Sequence, residues 1–166
     1  MWMLVLIPFL VQSVVIGLDE CHFHLKRGLP KWERIGHPID TLSVVICFAI
    51  ALLFPFSSGA LKIYIGFAVF SCLLVTKDEF VHKHHCPASE QWLHALLFLN
   101  HPIMLSAIGL IWTASSKSTS YVWLREWLDR PALLHLFLIG QSVFTALFFM
   151  YQVIFWNFIW KEKKIG

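Results

Sequence analysis

Five apolar runs, each long enough to cross most of a bilayer, decide what this chain can fold into. They lie at about 1–18, 41–56, 59–76, 93–114 and 132–160, separated by charged or turn-forming residues. A helix needs roughly 20 apolar residues to cross the hydrocarbon core, so a chain of 166 residues built this way has almost nothing left for a domain outside the membrane. Composition agrees, with 58% hydrophobic and 14% charged residues where a soluble domain carries about 25% charge. The expected fold class is an all-α integral membrane protein of about five transmembrane helices, forming one membrane domain over 1–166.

The breaks between runs predict how the helices connect. No Lys or Arg precedes the first apolar core, and no small-residue cleavage site stands near Leu18-Asp19-Glu20, so the run reads as a retained helix and not a secretory signal. Ser57-Ser58-Gly59 after Pro55 leaves room only for a tight antiparallel hairpin between helices two and three. Residues 115–131 read as an interfacial loop: Ser-rich at first, then mixing aromatic and charged residues over 121–128 as a surface-lying helix does. The last helix is expected over 132–160.

The 13 basic residues fall in short groups beside apolar segments and give a topology signal, with no basic face for nucleic acid. If 19–40, 77–92 and the C-terminus share one side, that side holds Lys26, Arg27, Lys31, Arg34, Lys77, Lys83, Lys161, Lys163 and Lys164. Only Lys62, Lys117, Arg125 and Arg130 stand opposite. This asymmetry predicts a cytoplasmic location for those segments, with the N-terminus outside. The four cysteines make no Cys-x-x-Cys pair and imply no disulfide framework.

Polar residues are concentrated in a way that surface solvation does not require. Of the nine His, seven (His22, His24, His37, His82, His84, His85 and His94) fall within 19–40 and 78–94, as do Asp19, Glu20, Glu33, Asp40, Asp78, Glu79 and Glu90. The two segments resemble each other: an Asp-Glu pair, then closely spaced His, then Glu followed by His at i+4 (Glu33 and His37; Glu90 and His94). Each lies between two apolar runs. The chain therefore reads as a duplicated hairpin, with repeat one over about 1–56 and repeat two over about 59–114, making a four-helix core to which the C-terminal helix is added.

Helical spacing aligns these groups, because residues i, i+4 and i+7 share a face. Asp78, His82 and His85 form one stripe, Glu33, His37 and Asp40 another, Glu90 and His94 a third that His101 extends, and Glu20 and His24 a fourth. Carboxylates that bridge and neutralise two cations, with imidazoles completing each sphere, make the ligand set of a two-metal carboxylate site. The expected ligands are Glu20, His24, Glu33, His37, Asp78, Glu79, His82, His85, Glu90 and His94, with Asp19, His22, Asp40, His84 and His101 as supporting or alternate groups. The expected cofactor is a pair of divalent ions, with iron favoured and zinc or manganese accepted by the same donors.

His101, beside Asn100 and Pro102, is expensive in lipid and is expected to face the bundle interior, bonded to a carbonyl freed by Pro102 or supporting the site. Cys21 and Cys86 lie within the His clusters as alternative soft ligands for zinc. Trp32 and Trp92, close to Glu33 and Glu90, are placed to shield the site from water. Arg27 and Arg34 read as snorkelling surface cations, or as contacts to a lipid phosphate.

His clusters at the cytoplasmic ends of apolar hairpins resemble, over residues 19–101, the membrane histidine-box di-iron enzymes, the fatty-acid desaturases and hydroxylases. The resemblance rests on His22-x-His24 and His82-x-His84-His85. It implies a di-iron oxidoreductase that activates O2 against a lipid or other apolar substrate drawn from the bilayer, with electrons from a separate donor. Two other readings stay open. One is a zinc-dependent membrane lipid hydrolase, with a non-ligating carboxylate such as Glu79 or Asp19 as general base. The other is a metal or proton transporter, weakened because only His101 lies deep in a span.

Overall fold

The computed structural model describes residues 2–85, 87–116 and 121–160, with the side chains of 77–85 outside the description. Every element among them is helical. Five helices are long and apolar enough to cross a membrane. We label them α1 (Trp2–Arg27), α2 (Lys31–Leu53), α3 (Ser58–His85), α4 (Ala88–Ser115) and, after the short α5 (Val122–Leu128), α6 (Pro131–Ile159).

The helices outrun the apolar stretches that announce them. Helix α1 continues through the polar residues to Arg27, α2 begins at Lys31 instead of 41, α3 runs on to His85, and α4 begins at Ala88 instead of 93. Apolar content marks only the part of a helix that suits lipid, whereas backbone hydrogen bonding carries the helix further. The polar segments are thus helix ends joined by very short turns. At the first, Gly28 takes φ +76, and a Cβ there would meet the Trp160 ring at 3.3 Å. Only glycine suits both the left-handed backbone and that close approach.

The α2–α3 turn falls where Ser57 and Pro55 predict it. Phe54 before Pro55 is extended and ends α2 at Leu53, and the Ser57 hydroxyl accepts the Ala60 N–H at 3.2 Å to start α3. Helix α5 buries Leu124 and Leu128 and exposes Val122 and Trp123, the amphipathic pattern of a surface-lying helix. Arg125 reaches back to the Ala114 and Ser116 carbonyls at 3.2 and 2.8 Å, satisfying orphan acceptors at the end of α4.

Helix α4 is central: it packs against α1, α2, α3 and α6, while α2 also lies along α3 and α6. The last helix is thus a wall of the bundle and no mere closure. The densest packing surrounds Phe9, Phe48, Leu105, Ile108, Leu134 and Leu138, with Phe9 edge-on to Phe137 at 5.1 Å between ring centres. Trp112 donates to the Phe54 carbonyl at 3.0 Å, capping α2 from α4. The outer faces carry exposed Leu10, Leu53, Leu73 and Leu147 among many large apolar side chains.

Candidate metal centre

Two helix starts and one distorted turn assemble the site. Pro30 and Pro87 occupy the N-cap positions of α2 and α4, which places Glu33 and Glu90 at the third helical residue of each. There the positive end of the helix dipole favours a carboxylate, and both side chains are 0% exposed. His37 and His94 follow one turn later on the same faces. The third contribution comes from α1, whose Glu20–His24 turn is π-helical. One extra residue in a turn brings i and i+5 into line, so Asp19 and His24 project together.

The result is a buried group of Asp19, His24, Glu90 and His94, whose donor atoms all lie within 4.8 Å of one another. His24 Nε2 and His94 Nε2 stand 3.2 and 3.1 Å from Asp19 Oδ2, and His24 Nε2 stands 3.7 Å from Glu90 Oε1. Tetrahedral ligands at about 2.1 Å from a zinc-sized ion sit roughly 3.4 Å from each other, so the spacing suits a shared cation. Both polar segments contribute, since Asp19 and His24 come from the end of α1 and Glu90 and His94 from the start of α4. A second group, His24, Glu33 and His37, meets the same distance limit and shares His24.

Orphaned atoms distinguish this cluster from a closed hydrogen-bond network. Glu20 Oε2 lies 3.1 Å from His24 Nδ1, and an ionised carboxylate accepts only, so Nδ1 is the donor; in the neutral imidazole Nε2 then carries the lone pair. That nitrogen faces Asp19 and Glu90 without making a hydrogen bond, and Asp19 Oδ1 and Glu90 Oε2 are buried with no hydrogen-bond partner among the described residues. Carboxylate oxygens facing that nitrogen are reconciled with it by a cation between them or by a proton on the ring. Asp19, Glu20, Glu33 and Glu90 are all buried. Among the described residues Arg27 is the only Lys or Arg ion-paired with any of them, 2.6 Å from Glu90 Oε1 and 3.2 Å from Glu33 Oε2. Burying that much negative charge calls for more positive charge than one guanidinium, from protonated imidazoles or from a bound cation. The donor set of Asp19, His24, Glu90 and His94 is one that could hold a metal ion.

Several residues stand elsewhere than the spacing predicts. Glu20, expected as a ligand, is in neither group: besides His24 it accepts from Tyr151 Oη at 2.7 Å and Trp156 Nε1 at 2.9 Å. It positions His24 from behind, and the π turn is the reason, since it swings Asp19 into the place that i, i+4 spacing assigns to Glu20. Asp40 lines the adjoining cavity but joins neither group. His22 is exposed, its Nδ1 accepting from Lys26 Nζ at 3.3 Å. His101 is buried as expected, yet its Nε2 meets Ser71 Oγ at 2.8 Å and no carbonyl freed by Pro102. Trp92 is 73% exposed and shields nothing. Cys21 is exposed and outside both groups. The side chains of Asp78, Glu79, His82, His84 and His85, and Cys86 altogether, lie outside the described residues.

Three participants are not assigned to the site by the sequence. Arg27 is an ion-pair partner of the site and not a surface cation, which no local pattern distinguishes. Tyr151 and Trp156 come from the last apolar run, where aromatic residues ordinarily mark the membrane interface. Only the packing of α6 against α2 and α4, which carries its end to α1, brings them to Glu20.

The cluster closes one end of a cavity of about 200 Å³. Asp19, Glu20, His24, His37 and His94 form that end, and Val44, Leu97, Met104, Phe144 and Phe148 line the remainder with a few amides and hydroxyls. An apolar cavity with convergent polar groups at one end is the usual form of a small-molecule site. No protein-family model, curated protein or solved structure matches the chain, so the class defined here is structural: an all-helical protein with five helices apolar enough to span a membrane and a buried His/Asp/Glu group able to bind metal.

Proposed function

We propose that the chain is a membrane-embedded, metal-dependent enzyme, specifically a di-iron oxidoreductase of the hydroxylase or desaturase kind acting on a lipid or other apolar substrate. The observation that carries the reading is the buried Asp19-His24-Glu90-His94 group with its orphaned acceptors, placed at the end of an apolar cavity. Five apolar helices and the lipid-like outer surface support a bilayer location. The basic asymmetry supports cytoplasmic metal-binding ends.

One ion takes Asp19, His24, Glu90 and His94. A second would use Glu33 and His37, which group with His24; Asp78, Glu79, His82 and His85, also expected as ligands, lie outside the described side chains. Arg27 stands between Glu33 and Glu90, where a second cation belongs, so the reading requires its guanidinium to turn outward. The Arg27 side chain is already 27% exposed. Bound iron supplies O2 activation toward an unactivated carbon. Glu20 holds His24 in the tautomer that presents Nε2, the helix starts at Pro30 and Pro87 stabilise the buried carboxylates, and the apolar walls keep water from the site. Electrons come from a separate donor.

The test is elemental analysis of the detergent-purified protein, followed by anaerobic loading with Fe2+ and exposure to O2. About two iron per chain, O2 consumption and new near-ultraviolet ferric absorption are expected, all suppressed by His94→Ala. Zinc alone in active protein, with turnover of a lipid ester under argon, overturns the oxidoreductase. Such a result favours the hydrolase, for which three residues of the four-residue group would hold one ion and leave a position for water.

A further inference from the structure

Helices α1 and α6 are held together at two places and stand apart between them. Toward one end Phe9 packs on Phe137. Toward the other, Tyr151 and Trp156 bond to Glu20. Between these ties the cavity reaches the bundle surface beside Ser13, Gly17, Gln141 and Phe144, with only the long 3.5 Å contact from Gln141 Nε2 to Ser13 Oγ drawn across among the described residues. Gly17 lines the cavity and is exposed, and a Cβ built on it meets nothing within 4 Å.

The lining chemistry selects what passes. The described lining residues include no Lys or Arg, and beyond the metal end the polar groups are amides and hydroxyls such as Thr41, Gln141 and Gln152, together with Asp40 and His101. An anionic headgroup passing this stretch would lose its hydration and meet no Lys or Arg, while Asp40, a carboxylate outside the proposed ligand set, repels it. An alkyl chain with a hydroxyl or carbonyl finds both apolar walls and hydrogen-bond partners.

We infer that the gap between α1 and α6 is a lateral portal that admits an uncharged, chain-like molecule carrying at most a hydroxyl or carbonyl group, and excludes lipids with an anionic head. This deepens the proposed function and rests on it for the fate of the molecule, but the portal itself is tested by binding alone. Gly17 keeps it open.

The test uses the full chain in phosphatidylcholine nanodiscs with two photoactivatable probes, a hexadecanol and a hexadecanoic acid, each bearing a mid-chain diazirine. Work at about pH 9 keeps the acid ionised. The alcohol is expected to label peptides spanning 12–17 and 141–152 well above those from the other lipid-facing helices. Gly17→Leu, which fills the open space with a residue that also favours helix, should lower that labelling about tenfold. Gly66→Leu is the control, because Gly66 also faces open space but lies away from the cavity. It should change nothing, and metal content should be the same in both variants. Equal labelling by the acid, labelling spread evenly over all helices, or wild-type labelling of Gly17→Leu would each overturn the portal. Loss of the oxidase activity with labelling intact would count against the proposed reaction and leave the portal standing.

Discussion

Replacing Glu20 by Gln tests the link between α6 and the metal centre with almost no change of shape. Trp156 Nε1 can only donate, so it holds the Gln carbonyl oxygen on its own side. The amide NH2 must then face His24, where Glu20 Oε2 accepts at 3.1 Å in the wild type. His24 answers by accepting at Nδ1, which moves its proton to Nε2, the atom that stands 3.2 Å from Asp19. A protonated Nε2 cannot ligate. Restoring the ligating tautomer sets two N–H groups against each other, and the lost hydrogen bond costs about 1–3 kcal/mol. That figure agrees with the roughly 10–100-fold loss of metal affinity that follows removal of an imidazole's supporting partner. The fold should suffer less, by about 1–2 kcal/mol, because neutral bonds replace charge-assisted ones while an amide is cheaper to bury than a carboxylate. Glu20→Ala reverses the balance: it leaves Trp156 Nε1 and His24 Nδ1 buried without acceptors, at about 1–3 kcal/mol each, and imposes no tautomer. The assay pairs chelator competition for bound Co2+ with thermal melting followed by tryptophan fluorescence. Wild-type affinity in Glu20→Gln would refute the positioning role.

Other outcomes follow from the same geometry. Glu33→Ala and Glu90→Ala should each lower metal content and thermal stability in metal-replete buffer, since an ion bound only by the folded state adds to stability; full metal retention in the double variant, measured by elemental analysis, would exclude a shared site. Arg27→Met removes the counter-charge of two carboxylates that are 0% exposed, so the metal-free protein should melt earlier and recover more than the wild type when divalent metal is added. Acidification should release metal, because protons compete for the imidazole and carboxylate donors while the bound form holds them deprotonated; an affinity that rises on acidification would refute this ligand set. In a chain whose own cysteines are replaced, Lys31→Cys and Trp123→Cys should react with an impermeant thiol reagent from opposite sides of the membrane, and labelling of both from one side would overturn the proposed topology.

What the sequence determines by itself is what local chemistry controls. The apolar runs require long helices because an unpaired backbone cannot lie in hydrocarbon. Pro55 and Ser57 set the turn between α2 and α3, and the amphipathic pattern of 121–128 specifies α5. The recurrence of Glu-x-x-x-His after each polar cluster brings Glu33 with His37 and Glu90 with His94 onto common faces, and the structure gathers these residues in two groups that share His24, with His37 half-buried and the others buried. Tertiary structure decides the rest. A single extra residue in the Glu20–His24 turn exchanges the roles of Asp19 and Glu20, and no spacing rule reveals it, because a π turn and an α turn accept the same residues. Arg27 reaches Glu90 across 63 positions of sequence and Trp156 reaches Glu20 across 136. Those partners are chosen by which helix packs beside which, a choice governed by side-chain fit between apolar faces that look alike when read one at a time.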